Sequence, residues 1–328
     1  MKIRKILICV YLLTCLALNF GYLFFPLAAN AEKENNRSGF NFVAAGDWGC
    51  GNEAKTTFSM MKKMEPELYL GLGDFSYEPS MDCWFDIVKE AGPLLKIVVG
   101  NHDVGGSLLK ELMNKFGLDK QYYSFDYRNV HFLALSTELK SDKYEDQFQF
   151  ASDDLANARL DKKIDWIIVF QHKPLYSGSG LEIPELREEY HQLFEKYHVD
   201  LVLAGHAHNY QRSYPILYND VRPTRPTITD HEKLRYLNPQ GTIFVIAGTG
   251  GESIQGVDMK PFLAKIYEGY GCIDLQIDGR QMKAEYYSDD GKTIDDFSII
   301  KNKINFNDFD SENHIHEASY NQYLKIKS

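Results

Sequence analysis

The chain has 328 residues, and its 36 Lys and Arg against 46 Asp and Glu leave a formal charge of −10. Hydrophobic residues make up 44% and charged residues 25%, which excludes a disordered or fibrous chain and suits a soluble globular one. An acidic surface repels polyphosphate backbones, so no nucleic-acid-binding module is expected. A phosphorylated small molecule would need local positive charge, which bound metal ions can supply.

The N-terminus starts with Lys2, Arg4 and Lys5, carries no charge from Ile6 to Asn30, and offers Ala29-Asn30-Ala31 before Glu32. Residues 1–31 read either as a cleaved export signal or as an anchor that attaches the chain to a membrane through residues 6–30. Both readings place the rest outside the cytoplasm, secreted or held on the outer face of the membrane. Residues 32–38 read as a polar linker. The periodicity then predicts strand 42–45, helix 54–63, strand 68–72, helix 83–89, strand 96–99 and helix 108–115. This βαβαβ rhythm implies parallel strands with right-handed crossovers. A hairpin at 122–125 and 130–135, a helix at 144–160, a strand at 166–170, a helix at 184–197 and a strand at 201–204 follow. Residues 217–239, rich in Pro, Asn, Asp and Thr, predict a long surface loop. Strands at 242–247, 271–277 and 282–287 complete a domain spanning 39–300, and 301–328 reads as a polar tail.

The chemistry-bearing residues sit just past the predicted strands: Gly46-Asp47, Gly73-Asp74-Phe75-Ser76-Tyr77, Gly100-Asn101-His102-Asp103, Gln171-His172 and Gly205-His206-Ala207-His208. A single Asp after a strand is usually a helix cap, and a single Asn a turn residue. Five independent turns have no structural reason to carry only metal-binding side chains. Open α/β sheets bind ligands outside the carboxyl ends of their strands, so the five turns are expected to converge. Mixed nitrogen and oxygen donors without thiolate suit Zn, Fe or Mn, and so many donors exceed the needs of one tetrahedral ion. Two ions sharing a carboxylate would use them, and such a pair clamps a phosphate and acidifies a bound water.

In order and spacing these blocks resemble the calcineurin-like metallophosphoesterases, and more narrowly the purple acid phosphatases of the small, tartrate-resistant type. The resemblance extends through Tyr210, Arg212 and Gly248-Thr249-Gly250-Gly251, over roughly residues 41–299. It implies a four-layer α/β/β/α sandwich of two mixed sheets flanked by helices. Many members carry Asp-x-His in the first block; here Gly49 stands at the His position, and Tyr77 matches the tyrosinate ligand of purple acid phosphatases. The resemblance implies a first metal site of Asp47, Asp74, Tyr77 and His208, and a second of Asp74, Asn101, His172 and His206, with Asp74 bridging. Fe(III) is expected in the first, with Zn, Mn or Fe(II) in the second. His102 would bind the phosphate or protonate the leaving oxygen, and Asp103 would orient His102. The implied reaction is hydrolysis of small phosphate monoesters by a metal-bound hydroxide; the alternative is a phosphodiesterase or nucleotide pyrophosphatase on the same scaffold. Family members carry further substrate-binding histidines after the His172 block. Here Ser177-Gly178-Ser179-Gly180 replaces them, and His191 falls in a predicted helix as an expected surface residue.

Of five cysteines, Cys50, Cys83 and Cys272 lie beyond the targeting segment, and no CxxC pair offers a thiolate site. Cys50 follows the first strand and Cys83 the second, so a bridge between them is expected to brace the Asp47 and Asp74 loops, with buried free thiols as the alternative.

Overall fold

A computed structural model describes residues 39–139 and 143–302. The expected signal or anchor, the linker and nearly all of the tail lie outside the described residues. No helix among the described residues is long and apolar enough to cross a membrane.

The elements run β1 (Phe40–Ala45), α1 (Asn52–Lys63), β2 (Leu68–Gly71), α2 (Asp82–Val88), β3 (Leu95–Ile97), α3 (Leu108–Phe116), β4 (Tyr123–Tyr127), β5 (Val130–Ala134), α4 (Tyr144–Leu160), β6 (Trp166–Phe170), α5 (Pro184–Lys196) and β7 (Leu201–Ala204). The remainder is β8 (Tyr210–Ser213), β9 (Ile216–Leu217), β10 (Thr227–Ile228), β11 (Arg235–Leu237), β12 (Ile243–Ala247), β13 (Leu263–Tyr267), β14 (Gly271–Asp278), β15 (Gln281–Ser288) and β16 (Thr293–Ile300). Local chemistry sets several boundaries. Glu53 opens α1 and Lys62 and Lys63 close it, each matching the helix dipole. Pro184 opens α5, where a missing N–H costs nothing. Gly117 ends α3 at φ +63°, a conformation glycine adopts without steric cost.

Two seven-stranded sheets result, ordered β11-β16-β15-β14-β1-β2-β3 and β13-β8-β12-β7-β6-β5-β4. In the first sheet β1, β2 and β3 are parallel, while β14 joins β1 antiparallel. In the second, β5, β6, β7 and β12 are parallel, and β4 and β8 run against them. Alternate residues of each strand face opposite ways. Phe42, Ala44 and Leu70 thus meet Phe132, Ile168, Phe170 and Leu203 between the sheets. Val43, Tyr69 and Ile97 on the other face pack under Phe58 and Met61 of α1, Trp84 of α2 and Leu112 of α3. Leu133, Ile167 and Val169 pack under Leu155 of α4 and Phe194 of α5. This is the expected α/β/β/α sandwich. Burial on both faces explains why these strands read as apolar runs.

The second half departs from the sequence reading. Residues 217–239 are not all loop: β9 pairs with β10, and β11 joins β16 in parallel. β8 was not expected as a strand because its Tyr-Gln-Arg-Ser sequence is polar, yet all four residues are buried. Arg212 donates from Nε and Nη2 to Asp295 at 2.6 and 2.9 Å and from Nη1 to the Tyr236 hydroxyl at 2.9 Å, which ties the two sheets together. Tyr210 donates to the same Asp295 at 2.8 Å. A buried charge survives only when paired and hydrogen-bonded in this way.

Candidate metal centre

The carboxyl ends of β1, β2 and β3 in one sheet and of β6 and β7 in the other open on one crevice. All seven residues expected as ligands reach it. Asp47 Oδ1 accepts from the Tyr77 hydroxyl at 3.2 Å and lies 3.3 Å from His208 Nε2, itself 3.0 Å from the Tyr77 oxygen. Beside this group, Asp74 Oδ2 lies 3.2 Å from His172 Nε2, and Asn101 Oδ1 lies 3.2 Å from the same nitrogen. Donor atoms of Asp74, His172 and His206 all fall within 4.8 Å of one another. Asp74 belongs to both groups, since the Tyr77 hydroxyl is also 3.4 Å from its Oδ2.

The backbone is forced to achieve this. Asp47, Asp74, Tyr77 and His206 all sit at positive φ, between 52° and 68°. Each such residue costs on the order of 1–3 kcal/mol and persists only where its surroundings over-determine it. Glycines allow the close approaches. A Cβ on Gly100 would lie 2.1 Å from Asp74 Oδ1, and one on Gly205 would lie 2.6 Å from Asp47 Oδ2.

The donor set fits cations. His172 donates Nδ1–H to the Leu72 carbonyl at 2.8 Å, and His208 donates Nδ1–H to the Ser253 carbonyl at 2.8 Å. Those bonds select the tautomer that turns a lone pair on Nε2 toward the crevice, as metal-binding histidines require. Burial, then the Asp47 and Asp74 carboxylates, hold the Tyr77 phenol far above its ordinary pKa. Only a strong local positive charge would make it a phenolate. Burial depresses His172, but the hydrogen bond and charge of Asp74 outweigh it and raise the imidazole to about 9. Burial and the neighbouring His172 charge push His206 down to about 4, with Lys173 and His208 adding to the effect against the pull of Asp74.

His102 is exposed on the rim, its ring 4.4 Å from that of Tyr77, and its backbone N–H donates to Asp74 Oδ1 at 2.8 Å. Asp103 corrects the sequence reading. Its carboxylate does not orient the His102 ring but accepts backbone N–H bonds from Asp74 (2.7 Å), Phe75 (2.9 Å) and Gly100 (2.7 Å). It therefore pins the loop after β2 to the loop after β3. Burial raises this carboxyl to about 7. His191 is the second correction. It is fully buried on α5, its Nδ1 2.7 Å from the Tyr176 hydroxyl and its Nε2 3.3 Å from the Ile216 carbonyl. Sequence reasoning also missed Gln255, whose Oε1 accepts the His208 N–H at 3.3 Å. Cys50 and Cys83 are bridged with Cα atoms 5.7 Å apart, as expected, and Cys272 is free and buried.

The profile of the calcineurin-like phosphoesterases matches residues 40–210, which carry every one of these ligand candidates. The chain belongs to the calcineurin-like phosphoesterases. An Arabidopsis thaliana protein named "probable inactive purple acid phosphatase 1" is 36% identical over 290 residues, 76% of this chain and 45% of that protein. A phosphoenolpyruvate phosphatase of Allium cepa is 26% identical over 295 residues, 78% of this chain and 59% of its own length. The structure of a purple acid phosphatase from yellow lupin (Lupinus luteus) seeds superposes with a TM-score of 0.70 at 24% identity, covering 80% of this chain and 54% of the lupin chain. The chain thus spans about half the length of the curated relatives it matches.

Proposed function

We propose that this phosphoesterase hydrolyses phosphate monoesters, in the manner of a purple acid phosphatase, at a centre of two metal ions. The single observation that carries this reading is the position of Asp74. Its Oδ2 stands between a Tyr77–Asp47–His208 group and an Asn101–His172–His206 group, so one carboxylate can serve two ions. Asp47, Asp74, Tyr77 and His208 would hold the first and Asp74, Asn101, His172 and His206 the second. A bound pair of ions supplies positive charge to a phosphate and acidifies the attacking water. His102, exposed beside Tyr77 and free of the donor groups, is placed to protonate the leaving oxygen. Its backbone bond to Asp74 fixes its distance from the centre.

A hard phenolate oxygen beside two carboxylates favours Fe(III) in the first group, with Zn, Mn or Fe(II) in the second. Monoester hydrolysis is supported by the phosphatase relatives. One Arabidopsis relative is named a "probable inactive" purple acid phosphatase; in this chain both donor groups and His102 are present. The Cys50–Cys83 bridge suits an oxidising compartment, in line with the export reading of the N-terminus.

The test joins metal analysis of purified protein to paired assays on a monoester and a diester. Two ions per chain, monoester turnover and a broad visible absorption band that Tyr77→Phe abolishes are expected. A colourless enzyme active with zinc or manganese alone would remove the Fe(III)–tyrosinate assignment. One ion per chain would remove the dinuclear reading, and turnover of the diester alone would replace the monoesterase with a phosphodiesterase.

A further inference from the structure

Where the resemblance implies substrate-binding histidines after His172, the chain has Ser177-Gly178-Ser179-Gly180. That segment has another task in the structure. The Asp258 N–H donates to the Gly178 carbonyl at 3.3 Å, and the Ser179 hydroxyl donates to the Gly256 carbonyl at 3.3 Å, so it lies against residues 253–258. Glycine permits the approach, because a Cβ on Gly178 would stand 2.3 Å from the Asp258 carbonyl oxygen. Residues 253–258 in turn grip His208. The Ser253 carbonyl accepts its Nδ1–H at 2.8 Å, the Gln255 N–H donates to its carbonyl at 2.9 Å, and Gln255 Oε1 accepts its N–H at 3.3 Å.

Asn209, next to His208 and fully buried, joins the two segments. Its Nδ2 donates to Ser179 Oγ at 2.9 Å and stands 3.3 and 3.4 Å from the Gln255 and Gly256 carbonyl oxygens. Gln211, also buried, fixes which way that amide points by donating from Nε2 to Asn209 Oδ1 at 2.8 Å. Gln211 Oε1 accepts the Gly178 N–H at 2.6 Å, and its Nε2 lies 3.2 Å from the Ser177 and Ser179 hydroxyl oxygens. The Ser179 oxygen thus receives two amides and donates once, which uses all that a hydroxyl has. Unpairing any of these buried amides is costly, so the two segments are locked as one unit.

We propose that Asn209 and Ser179 are positioning residues for His208: they clasp residues 253–258 against it and so hold its imidazole ready for the first metal ion. The inference rests on the reading of His208 as a ligand of that ion. His208 turns Nε2 to the crevice only while its Nδ1–H keeps the Ser253 carbonyl, and the clasp sets where that carbonyl stands. Neither residue needs to touch an ion or a substrate.

The test uses the zinc-loaded full chain and its Asn209→Ala, Ser179→Ala, Ser179→Thr and His208→Ala variants. Stepwise competition with a chelator reads the affinity of each ion, and the first ion is the one that His208→Ala loses. Asn209→Ala and Ser179→Ala should weaken that ion about 10–100-fold and change the other less than about 3-fold, the scale of groups that orient a metal ligand. Ser179→Thr keeps the hydroxyl and should bind both ions as the wild type does. Solvent exchange of the His208 Nδ1–H, followed by NMR, should quicken in both alanine variants; a brace remote from the imidazole would leave it unchanged. If Asn209→Ala does not fold, the half-buried Ser179 carries the same comparison. Equal weakening of both ions, or of neither, overturns the clasp. If His208→Ala keeps both ions, the ligand reading fails; if it loses the first while the alanine variants keep it, only the clasp fails.

Discussion

The two sheets bring different chemistry to one crevice. The loops after β1, β2 and β3 of the first sheet carry the oxygen donors Asp47, Asp74, Tyr77 and Asn101. The loops after β6 and β7 of the second carry the nitrogen donors His172, His206 and His208. The first side is strapped: the Cys50–Cys83 bridge and the three bonds to Asp103 tie its loops to each other. The second side is held by reaching across. His172 Nδ1 donates to Leu72, and the His206 N–H donates to Asp47 Oδ2 at 2.7 Å. The Gly46 N–H donates to the Ala247 carbonyl at 2.9 Å, joining β1 to β12 at the crevice itself. Neither sheet alone holds a complete donor group. The proposed centre therefore depends on the two sheets being packed together.

That asymmetry can be tested by removing its members in turn. Asp74 lies on the first side but belongs to both proposed donor groups, so Asp74→Ala should release both ions and lower turnover by about 10⁴-fold or more. Asp47→Ala should release only the first, and metal content per chain after dialysis separates the two outcomes. If Asp74→Ala keeps one ion firmly bound, the shared carboxylate is misassigned.

His102 lies on the oxygen side but outside its donor group. His102→Ala should retain both ions and lose about 10²–10⁴-fold in kcat, the usual scale of general-acid catalysis. Loss of metal together with activity would make it a ligand.

The strap is the next smaller effect. The bridge closes a separation of 33 residues, so Cys50→Ser with Cys83→Ser should cost about 3–4 kcal/mol in urea unfolding. It should also speed loss of the first ion more than of the second. Equal release of both would show that the strap does not belong to one side.

The smallest effect lies within the second sheet, away from the centre. His131 on β5 places Nδ1 2.7 Å from Asp126 and Nε2 2.8 Å from Asp154. Burial depresses its pKa, but Asp154 and then Asp126 outweigh burial and raise it above the ordinary value of 6.5. The folded state then binds the proton more tightly than the unfolded state. Its stabilisation is fully present below about pH 6.5 and is lost as pH rises through the raised folded value. His131→Gln should cost about 1 kcal/mol below pH 6.5, since Asp126 is half exposed and screened, and should lose this pH dependence. An unchanged pH profile of Tm would show that the imidazole does not titrate there.

The sequence by itself determined the donors and the strand ends that present them. Gly46-Asp47, Gly73-Asp74 and Gly205-His206 are local signals, in which glycine and a chemistry-bearing residue share one turn, although the strained backbone at Asp47, Asp74 and His206 holds only in the packed structure. The apolar runs of β1, β2, β6 and β7 were equally legible, because burial on both faces leaves a continuous pattern. Tertiary structure decided whatever depends on a partner far along the chain. β1 pairs Val43 with Asp274 of β14, and Arg212 of β8 finds Asp295 of β16. No local pattern marks a polar strand whose charges are neutralised from another sheet. His191 reads as a surface residue until Tyr176 and the Ile216 carbonyl close around it, and Asp103 reads as a partner of its neighbour until three amides from two loops claim it. Residue type follows from the gene one position at a time, but burial and hydrogen-bond partnership are properties of the packed pair, and they exist only once the two sheets have met.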